Sequence, residues 1–263
     1  MSLKTILQLT DLHILPTIGE TLLGVDTGYY FERTLQHAYQ HYGSFDLILL
    51  TGDLAQEPCE ASYQRIASHI KRMRTPCVVL PGNHDDFALM RAIFNEATLN
   101  CAKQTTLGNW RIICLNSQKL NSPAGRLEES ELFYLQQSLK DDPDSPTLLA
   151  IHHPCVASGS MWLDTMQIEN SDELLAIVAA STQIKGIVCG HLHQELERQV
   201  GHTRLYATPA TCFQFTPDSD IFDLDNSSPG YRVFKLYDNG DLHSDCHRIP
   251  DKLTTLDRRT TNY

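Results

Sequence analysis

Short apolar runs alternate with amphipathic segments along most of this chain. The runs are rich in leucine and β-branched residues, so they predict buried strands at 6–10, 47–51, 78–81, 112–116, 148–151 and 186–189. The amphipathic segments predict helices at 30–41, 60–72, 87–94, 130–140 and 171–180. Ser130 is of a type that caps helix N-termini, so we expect it to cap the fourth helix. This alternation predicts an α/β protein.

The pattern changes in the last quarter of the chain. Strands are predicted at 204–207 and 231–237. Asn239-Gly240 predicts a tight hairpin into a further strand at 242–247, because both turn residues tolerate positive φ. A late hairpin indicates a mixed sheet, or two sheets packed face to face.

Composition and charge narrow the function classes. The chain carries 21 basic and 32 acidic residues, and this charge of −11 argues against a nucleic-acid partner. The negative charge does not exclude a small anionic substrate, because bound cations can hold a phosphate despite an acidic surface. No segment approaches the ~20 apolar residues that span a bilayer, and residues 1–10 lack the features of a signal peptide. We therefore expect a cytoplasmic protein with no membrane partner.

The domain organisation is predicted to be simple. We expect one catalytic domain over residues 1–250, an acidic loop at 218–229, and a polar tail over 251–263 that frays. The 8 cysteines are scattered without a Cys-x-x-Cys pair, which predicts reduced, buried thiols.

Five short polar motifs each follow an apolar run. They are Asp11-Leu12-His13, Gly52-Asp53, Gly82-Asn83-His84-Asp85, His152-His153-Pro154 and Gly190-His191-Leu192-His193. Ligands of open α/β sheets bind beyond the carboxyl ends of strands, so we expect these motifs to converge. Their carboxylates, amide and imidazoles suffice for two metal ions and a catalytic histidine. The set therefore predicts a dinuclear metallohydrolase acting on phosphate esters.

Each motif alone has a structural alternative. The aspartates could be turn residues, and the pair His152-His153 could be satisfied by main-chain carbonyls. His191 and His193 would share one side of an extended segment, which favours a ligand pair. The motifs in this order make the joint interpretation much stronger than any single one.

The ordered motifs resemble the calcineurin-like metallophosphoesterase superfamily. Within it the chain resembles the class III cyclic-nucleotide phosphodiesterases, especially bacterial cAMP phosphodiesterases, over about residues 4–248. The similar stretches are 22–25, 51–56, 80–85, 162–164, 189–195, 207–209, 211–212 and 214–215. This resemblance implies two packed mixed β-sheets flanked by helices, a four-layer αββα sandwich.

The resemblance also implies roles for individual residues. One ion would be held by Asp11, His13, Asp53 and His193, and a second by Asp53, Asn83, His152 and His191. His84 matches the catalytic histidine of the family, and His153 would lie just outside the ligand set. The substrate phosphate would lie against His13, Asp53, Asn83, His84 and His193. The resemblance favours iron or manganese, and zinc also suits these ligands.

The implied reaction is hydrolysis of 3′,5′-cyclic AMP to 5′-AMP, with a metal-bridging hydroxide attacking phosphorus. Two departures count against sister families: Gln56 stands where protein Ser/Thr phosphatases have a carboxylate, and His84 stands where lipid A pathway pyrophosphohydrolases have arginine. Loops 154–168, with Trp162, and 208–230, with the aromatic pair Phe213 and Phe215, are candidates for base contacts. These aromatics could instead only close the edge of the core.

Three other functions stay open. A broad-specificity phosphodiesterase of the same fold would cleave glycerophosphodiesters or 2′,3′-cyclic nucleotides. A non-catalytic, metal-binding interaction module would lack some of the ligands or the catalytic histidine, and all are present here. A nuclease would carry a basic patch, which the sequence does not show.

Overall fold

The computed structural model describes residues 3–261, and strands alternate with helices through most of that range. The outermost positions of the expected domain and tail, 1–2 and 262–263, lie outside the described residues. The strands are β1 Leu3–Leu9, β2 Leu47–Thr51, β3 Cys77–Leu80, β4 Asn95–Glu96, β5 Leu99–Asn100, β6 Gln104–Leu107, β7 Trp110–Cys114, β8 Thr147–Ala150, β9 Ile184–Cys189, β10 Leu196–Val200, β11 Thr203–Ala207, β12 Gln214–Phe215, β13 Leu224–Asp225, β14 Gly230–Tyr237 and β15 Leu242–Arg248. The helices are α1 Thr27–Tyr42, α2 Glu60–Met73, α3 Phe87–Ile93, α4 Glu129–Asp141, α5 Met161–Asp164 and α6 Ser171–Ala180.

Two mixed sheets form the centre of the fold. The first has the strand order β15-β14-β1-β2-β3-β5-β4, and the second has the order β10-β11-β9-β8-β7-β6. Strands β1, β2 and β3 run parallel in the first sheet, and β7, β8 and β9 run parallel in the second. The carboxyl ends of these parallel strands form one edge in each sheet, and the five polar motifs lie there.

The sheets pack face to face, with helices outside both. In β2, Leu47 and Leu49 face a core between the two sheets, whereas Ile48 and Leu50 face a core beneath α1 and α2. A third core joins the second sheet to α4 and α6. The expected four-layer αββα sandwich is therefore confirmed.

The late hairpin is confirmed, but its turn differs from the expected one. The last paired residues are Leu236 and Leu242, and the main-chain N–H of Tyr237 donates to Asp241 O. Gly240 has a φ of 85°, while Asn239 keeps a negative φ. The connection is thus longer than a two-residue hairpin turn, and glycine alone takes the left-handed conformation.

Two local expectations are wrong. Helix α4 begins at Glu129 with Glu128 as its N-cap, so Ser130 lies inside the first turn. The segment 218–229 is not wholly a loop, because β13 pairs there with β12.

The tail is also ordered where fraying was the expectation. Within 251–261, the side chains of Leu253 and Leu256 pack against the cores on both sides of the molecule. The main-chain N–H of Asp257 donates to Leu23 O over 2.9 Å. Fraying was expected because most residues of this segment are polar, but its two leucines are enough to anchor it.

Two further properties agree with the sequence. All eight cysteines carry free thiols, and five of them are buried. Across residues 3–261, no helix has both the length and the apolarity that crossing a membrane requires.

Candidate metal centre

The five polar motifs meet between the two sheets. Asp11 follows β1, Asp53 follows β2 and Asn83 follows β3, at the carboxyl edge of the first sheet. His152 follows β8, and the segment with His191 and His193 follows β9, at the same edge of the second. Main-chain hydrogen bonds join neighbouring loops within each sheet. For example, Gly190 N–H donates to His152 O over 3.1 Å.

Five of the candidate ligands have a backbone conformation that L-residues rarely adopt. Their φ angles are 52° at Asp11, 45° at His13, 49° at Asp53, 66° at His191 and 46° at His193. Each such conformation costs of order 1–3 kcal/mol, and strain of this kind clusters at functional sites. The interpretation of His191 and His193 as neighbours on an extended segment is therefore wrong: the chain turns at both, and their rings point into different ligand groups.

The first group contains two imidazoles and a carboxylate. His193 Nδ1 lies 2.9 Å from Phe213 O, and His13 Nδ1 lies 2.7 Å from Gln56 Oε1. Both oxygens only accept, so in the neutral rings each Nδ1 carries the hydrogen and each Nε2 a lone pair. These two Nε2 atoms are 3.3 Å apart, and Asp11 Oδ1 lies 3.4 Å from that of His193.

The second group contains two imidazoles, an amide and a carboxylate. His152 Nδ1 lies 2.8 Å from Thr51 O, so in the neutral ring its Nε2 would present a lone pair. That Nε2 lies 3.2 Å from Asn83 Oδ1 and 3.3 Å from Asp53 Oδ2. His191 Nδ1 completes the group at 3.1 Å from Asn83 Oδ1.

The donor set fits two cations. In the first group, and in the second when the His152 ring is neutral, atoms that carry lone pairs face one another at 3.2–3.4 Å, an arrangement that repels unless a cation or an extra proton lies between them. Separations of this size are expected of ligands about 2.0–2.2 Å from one metal ion. Asp53 Oδ2 lies 3.3 Å from His152 Nε2 and 3.9 Å from His13 Nε2, so it stands between the groups.

Burial and charge act together on the protonation of this centre. Burial raises the pKa of the Asp53 carboxyl, but the neighbouring imidazoles, His152 above all, lower it well below its usual range. Burial lowers the pKa of His13 and of His191 to about 3, so both rings are neutral at pH 7. Burial also lowers the pKa of His152, but the charge and hydrogen bond of Asp53 outweigh it and raise that pKa to about 9. A proton thus stays beside Asp53 in the metal-free protein.

Two nearby side chains fit less well as ligands. The Cys212 thiol groups with His13 and His193, but burial raises its pKa well above the usual range and keeps it protonated. His153 groups with His152 and His191, but its Nδ1 lies 2.8 Å from Ser117 Oγ, a hydroxyl that can donate as well as accept, so this contact does not fix a lone pair on Nε2. Ser117 carried no signal in the sequence.

His84 lies beside the two groups without joining either. Its main-chain N–H donates to Asp53 Oδ1 over 2.9 Å, and its ring Nδ1 lies 3.2 Å from the main-chain oxygen of Gln56. The missing carboxylate at position 56 is thus replaced by a carbonyl. No residue type encodes this contact, so sequence reasoning had no way to find it.

Asp85 joins two of the loops. Its carboxylate accepts from the main-chain N–H groups of Leu54 and Gly82 and from the hydroxyl of Tyr63. A Cβ on Gly82 would overlap the Asp53 carboxylate, so only glycine allows this close approach. The sequence motif indicates no role for Asp85, yet this carboxylate fixes the loops on which the two candidate ligands Asp53 and Asn83 sit.

A cavity of about 500 Å³ opens directly from this centre. The polar end is formed by Asn83, His84 and His191, and the other end is mainly apolar. The remaining lining residues are Pro123, Trp162, Leu163, Thr165, Met166, Phe215 and Phe222. Met166 and Phe222 lie within the two loops predicted to contact the base, whereas Pro123 lies outside them and its type carries no chemical signal.

Two roles were predicted for the aromatic residues of the candidate loops: contacting the base or closing the edge of the core. The structure distributes these residues between the two. Phe213 is fully buried, and its ring stacks at 6.1 Å on that of His13, so it closes the core. Phe215 stacks on His193 at 4.3 Å and also lines the cavity. Trp162 packs edge-on against Phe215 and Phe222 and remains partly exposed on the cavity side.

Proteins of known activity resemble this chain over almost its whole length. The 3′,5′-cyclic adenosine monophosphate phosphodiesterase CpdA of Escherichia coli (strain K12) is 40% identical over 259 residues, which cover 98% of this chain and 94% of that protein. The protein of the same name from Haemophilus influenzae is 37% identical, covering 93% and 89%. The 3′,5′-cyclic-nucleotide phosphodiesterase alr5338 of Nostoc is 33% identical, covering 98% and 97%.

Solved structures share the fold. A dimetal phosphatase from Danio rerio superposes with a TM-score of 0.68 at 11% identity, covering 96% of this chain and 98% of that one. Purple acid phosphatase PPD1 from yellow lupin superposes with a TM-score of 0.67 at 12% identity, covering 94% and 52%. At such identities the likeness concerns the fold alone.

A profile of the family described as calcineurin-like phosphoesterase matches residues 4–195, which contain all five polar motifs. This match and the full-length relatives confirm the resemblance inferred from the ordered motifs. The chain belongs to the calcineurin-like phosphoesterase family.

Proposed function

We propose that this protein hydrolyses 3′,5′-cyclic AMP to 5′-AMP. One observation carries the proposal: a cavity of about 500 Å³ begins at two groups of candidate metal ligands and ends in an aromatic, apolar wall. Such a cavity suits a molecule with a phosphodiester at one end and a flat base at the other. The names of the full-length relatives point to the same substrate.

The proposed ligand sets follow the two groups of lone pairs. One ion would be held by Asp11, His13, Asp53 and His193, and the other by Asp53, Asn83, His152 and His191. Asp53 would be shared by both sets, and its ionised carboxylate would offset the repulsion between two cations. Ligands without thiolate suit iron, manganese or zinc, and we favour iron or manganese.

The cations would supply a water molecule ionised near neutral pH and positive charge for the phosphate oxygens. The protein's own residues do the rest. His84 faces the cavity, and its protonated ring donates the Nε2 hydrogen to the 3′-oxygen as the bond from that oxygen to phosphorus breaks, while Nδ1–H stays bonded to Gln56 O. His13, Asp53, Asn83 and His193 surround the position of the phosphate, so that His84 meets the leaving oxygen rather than bulk water.

The base would lie against the apolar end. Trp162 offers an indole face at the cavity wall, and base–aromatic stacking contributes about 1–3 kcal/mol. The indole Nε1 is buried, and among residues 3–261 it has no hydrogen-bond partner. This N–H lies in the plane of the indole ring, so a base stacked on the ring face would not be its acceptor.

A broad-specificity phosphodiesterase is the second candidate. A further cavity of about 740 Å³ adjoins His84 on its other side and is lined by residues of the segment 118–123. That space would admit a leaving group larger than the ribose of a cyclic nucleotide. Glycerophosphodiesters are therefore a competing substrate, and 2′,3′-cyclic nucleotides stay the other alternative.

The deciding assay uses protein reconstituted separately with Fe, Mn and Zn. Each form is offered 3′,5′-cyclic AMP, 2′,3′-cyclic AMP, glycerophosphodiesters and bis(p-nitrophenyl) phosphate. We expect the highest kcat/KM for 3′,5′-cyclic AMP with iron or manganese. If that substrate ranks among the poorest, the broad-specificity alternative replaces this proposal.

We also propose a setting for the enzyme. Eight free thiols, five of them buried, suit a reducing compartment, so we place the protein in the cytoplasm. We propose residues 1–250 as the catalytic domain and 251–263 as its C-terminal extension. Fractionation of cells that express the tagged full chain tests the location.

A further inference from the structure

Gln56 lies between His13 and His84 but belongs to neither ligand group. It follows Asp53 by three residues, and its main-chain N–H lies 3.3 Å from Ile14 O. A β-bridge between Ile14 and Ala55 holds the same two segments together. The loop that carries Asp53 is therefore fixed against the loop that carries His13, and Gln56 sits at their junction.

The Gln56 side chain determines which nitrogen of His13 carries the hydrogen. Its Oε1 lies 2.7 Å from His13 Nδ1, and an amide oxygen only accepts. The hydrogen is therefore on Nδ1, and Nε2 presents its lone pair towards His193 Nε2, 3.3 Å away. In the other tautomer that lone pair would be replaced by an N–H, and His13 could not bind a cation through Nε2.

The Gln56 main chain acts on a different histidine. Its carbonyl oxygen lies 3.2 Å from His84 Nδ1, so Nδ1 carries the hydrogen and Nε2 is directed away from Gln56. This contact needs only a peptide carbonyl. A substitution at position 56 thus removes the support of His13 while leaving the support of His84 in place.

We propose that Gln56 is a positioning residue whose side chain holds His13 in its metal-binding tautomer, while its main chain independently orients His84. The inference rests on the proposed function only in requiring that metal ions bind here. An amide suits this position because Asp11 and Asp53 already place two buried carboxylates in the centre. A third carboxylate would add negative charge where the cations are absent.

The test measures metal affinity and turnover separately in two variants. Gln56→Met has similar size but no strong acceptor, and Gln56→Glu keeps an acceptor at the same place. Removing an outer partner of a ligating histidine typically lowers metal affinity 10–100-fold. By chelator competition with Mn²⁺, we expect that loss in one ion of Gln56→Met and near-normal affinity in Gln56→Glu. At saturating Mn²⁺, kcat of Gln56→Met should stay within about threefold of the unmodified protein.

A second measurement needs neither metal nor substrate. Histidine ¹⁵N spectra of the metal-free protein distinguish the two tautomers, and we expect the His13 signals to show hydrogen on Nδ1 in the unmodified chain and a mixture in Gln56→Met. Unchanged Mn²⁺ affinity in Gln56→Met overturns the proposal, as does an equal loss of affinity in Gln56→Glu. A fall in kcat at saturating Mn²⁺ overturns the separation of roles. Failure to hydrolyse cyclic AMP would count against the proposed function and leave these affinities interpretable.

Discussion

The main-chain N–H of His84 donates to Asp53 Oδ1 over 2.9 Å. The residue proposed as catalytic is therefore tied by its backbone to the carboxylate proposed to bridge the metals. Its imidazole takes no part in this bond. Side chain and main chain of His84 thus have separable functions, which a truncation of the ring should reveal.

The first prediction is that His84→Ala keeps its metals and loses turnover. The backbone bond to Asp53 survives the substitution, so metal content measured by mass spectrometry should match the unmodified protein. Loss of a general acid should lower kcat by ~10²–10⁴-fold. His202→Ala, at an exposed position, serves as the control. Loss of metal from His84→Ala would contradict its placement outside the ligand sets.

The second prediction concerns the base. Trp162→Ala should raise KM for 3′,5′-cyclic AMP by about 5- to 150-fold, the equivalent of a stacking energy of about 1–3 kcal/mol, with a smaller change in kcat. Trp162→Phe keeps an aromatic face and should lie close to the unmodified protein. If Trp162 only closes the core edge, Trp162→Ala will lower the melting temperature and leave KM unchanged.

The third prediction is that metal binding releases protons. The pKa of His152 is raised to about 9 in the metal-free protein, so this ring is protonated below pH 9 and must lose its proton to become a ligand. His13 and His191, with pKa values lowered to about 3, are neutral already and contribute none. Calorimetric titration at pH 7.5 in buffers of different ionisation enthalpy should give at least about one proton per chain. Identical heats in all buffers would exclude it.

The fourth prediction concerns the tail. Removing residues 251–263 exposes the surface beneath Leu253 and Leu256 and deletes the hydrogen bond from Tyr30 Oη to Lys252 O at 2.9 Å. We expect the melting temperature to fall by about 5–10 °C in scanning calorimetry. Removing only residues 259–263 should change it by about 1 °C at most. Equal effects of both truncations would show that the leucines contribute nothing.

The sequence allowed the strands and the loops of the site to be predicted, because both leave local signals. Alternation in β2 places Leu49 and Ile48 on opposite faces, and each polar motif follows such a strand. Features made by distant backbone atoms left no signal. The carbonyl of Phe213 sets the tautomer of His193, and the carbonyl of Gln56 orients His84. Every residue has a carbonyl, so only coordinates reveal which one is used.

The positive φ angles at Asp11, His13, Asp53, His191 and His193 bear on how this enzyme can be engineered. Glycine would relax the backbone at any of these positions while removing a proposed metal ligand. Selection of variants for heat resistance alone would therefore favour inactive proteins at these five sites. A screen for more heat-stable variants therefore has to select for catalytic activity at the same time.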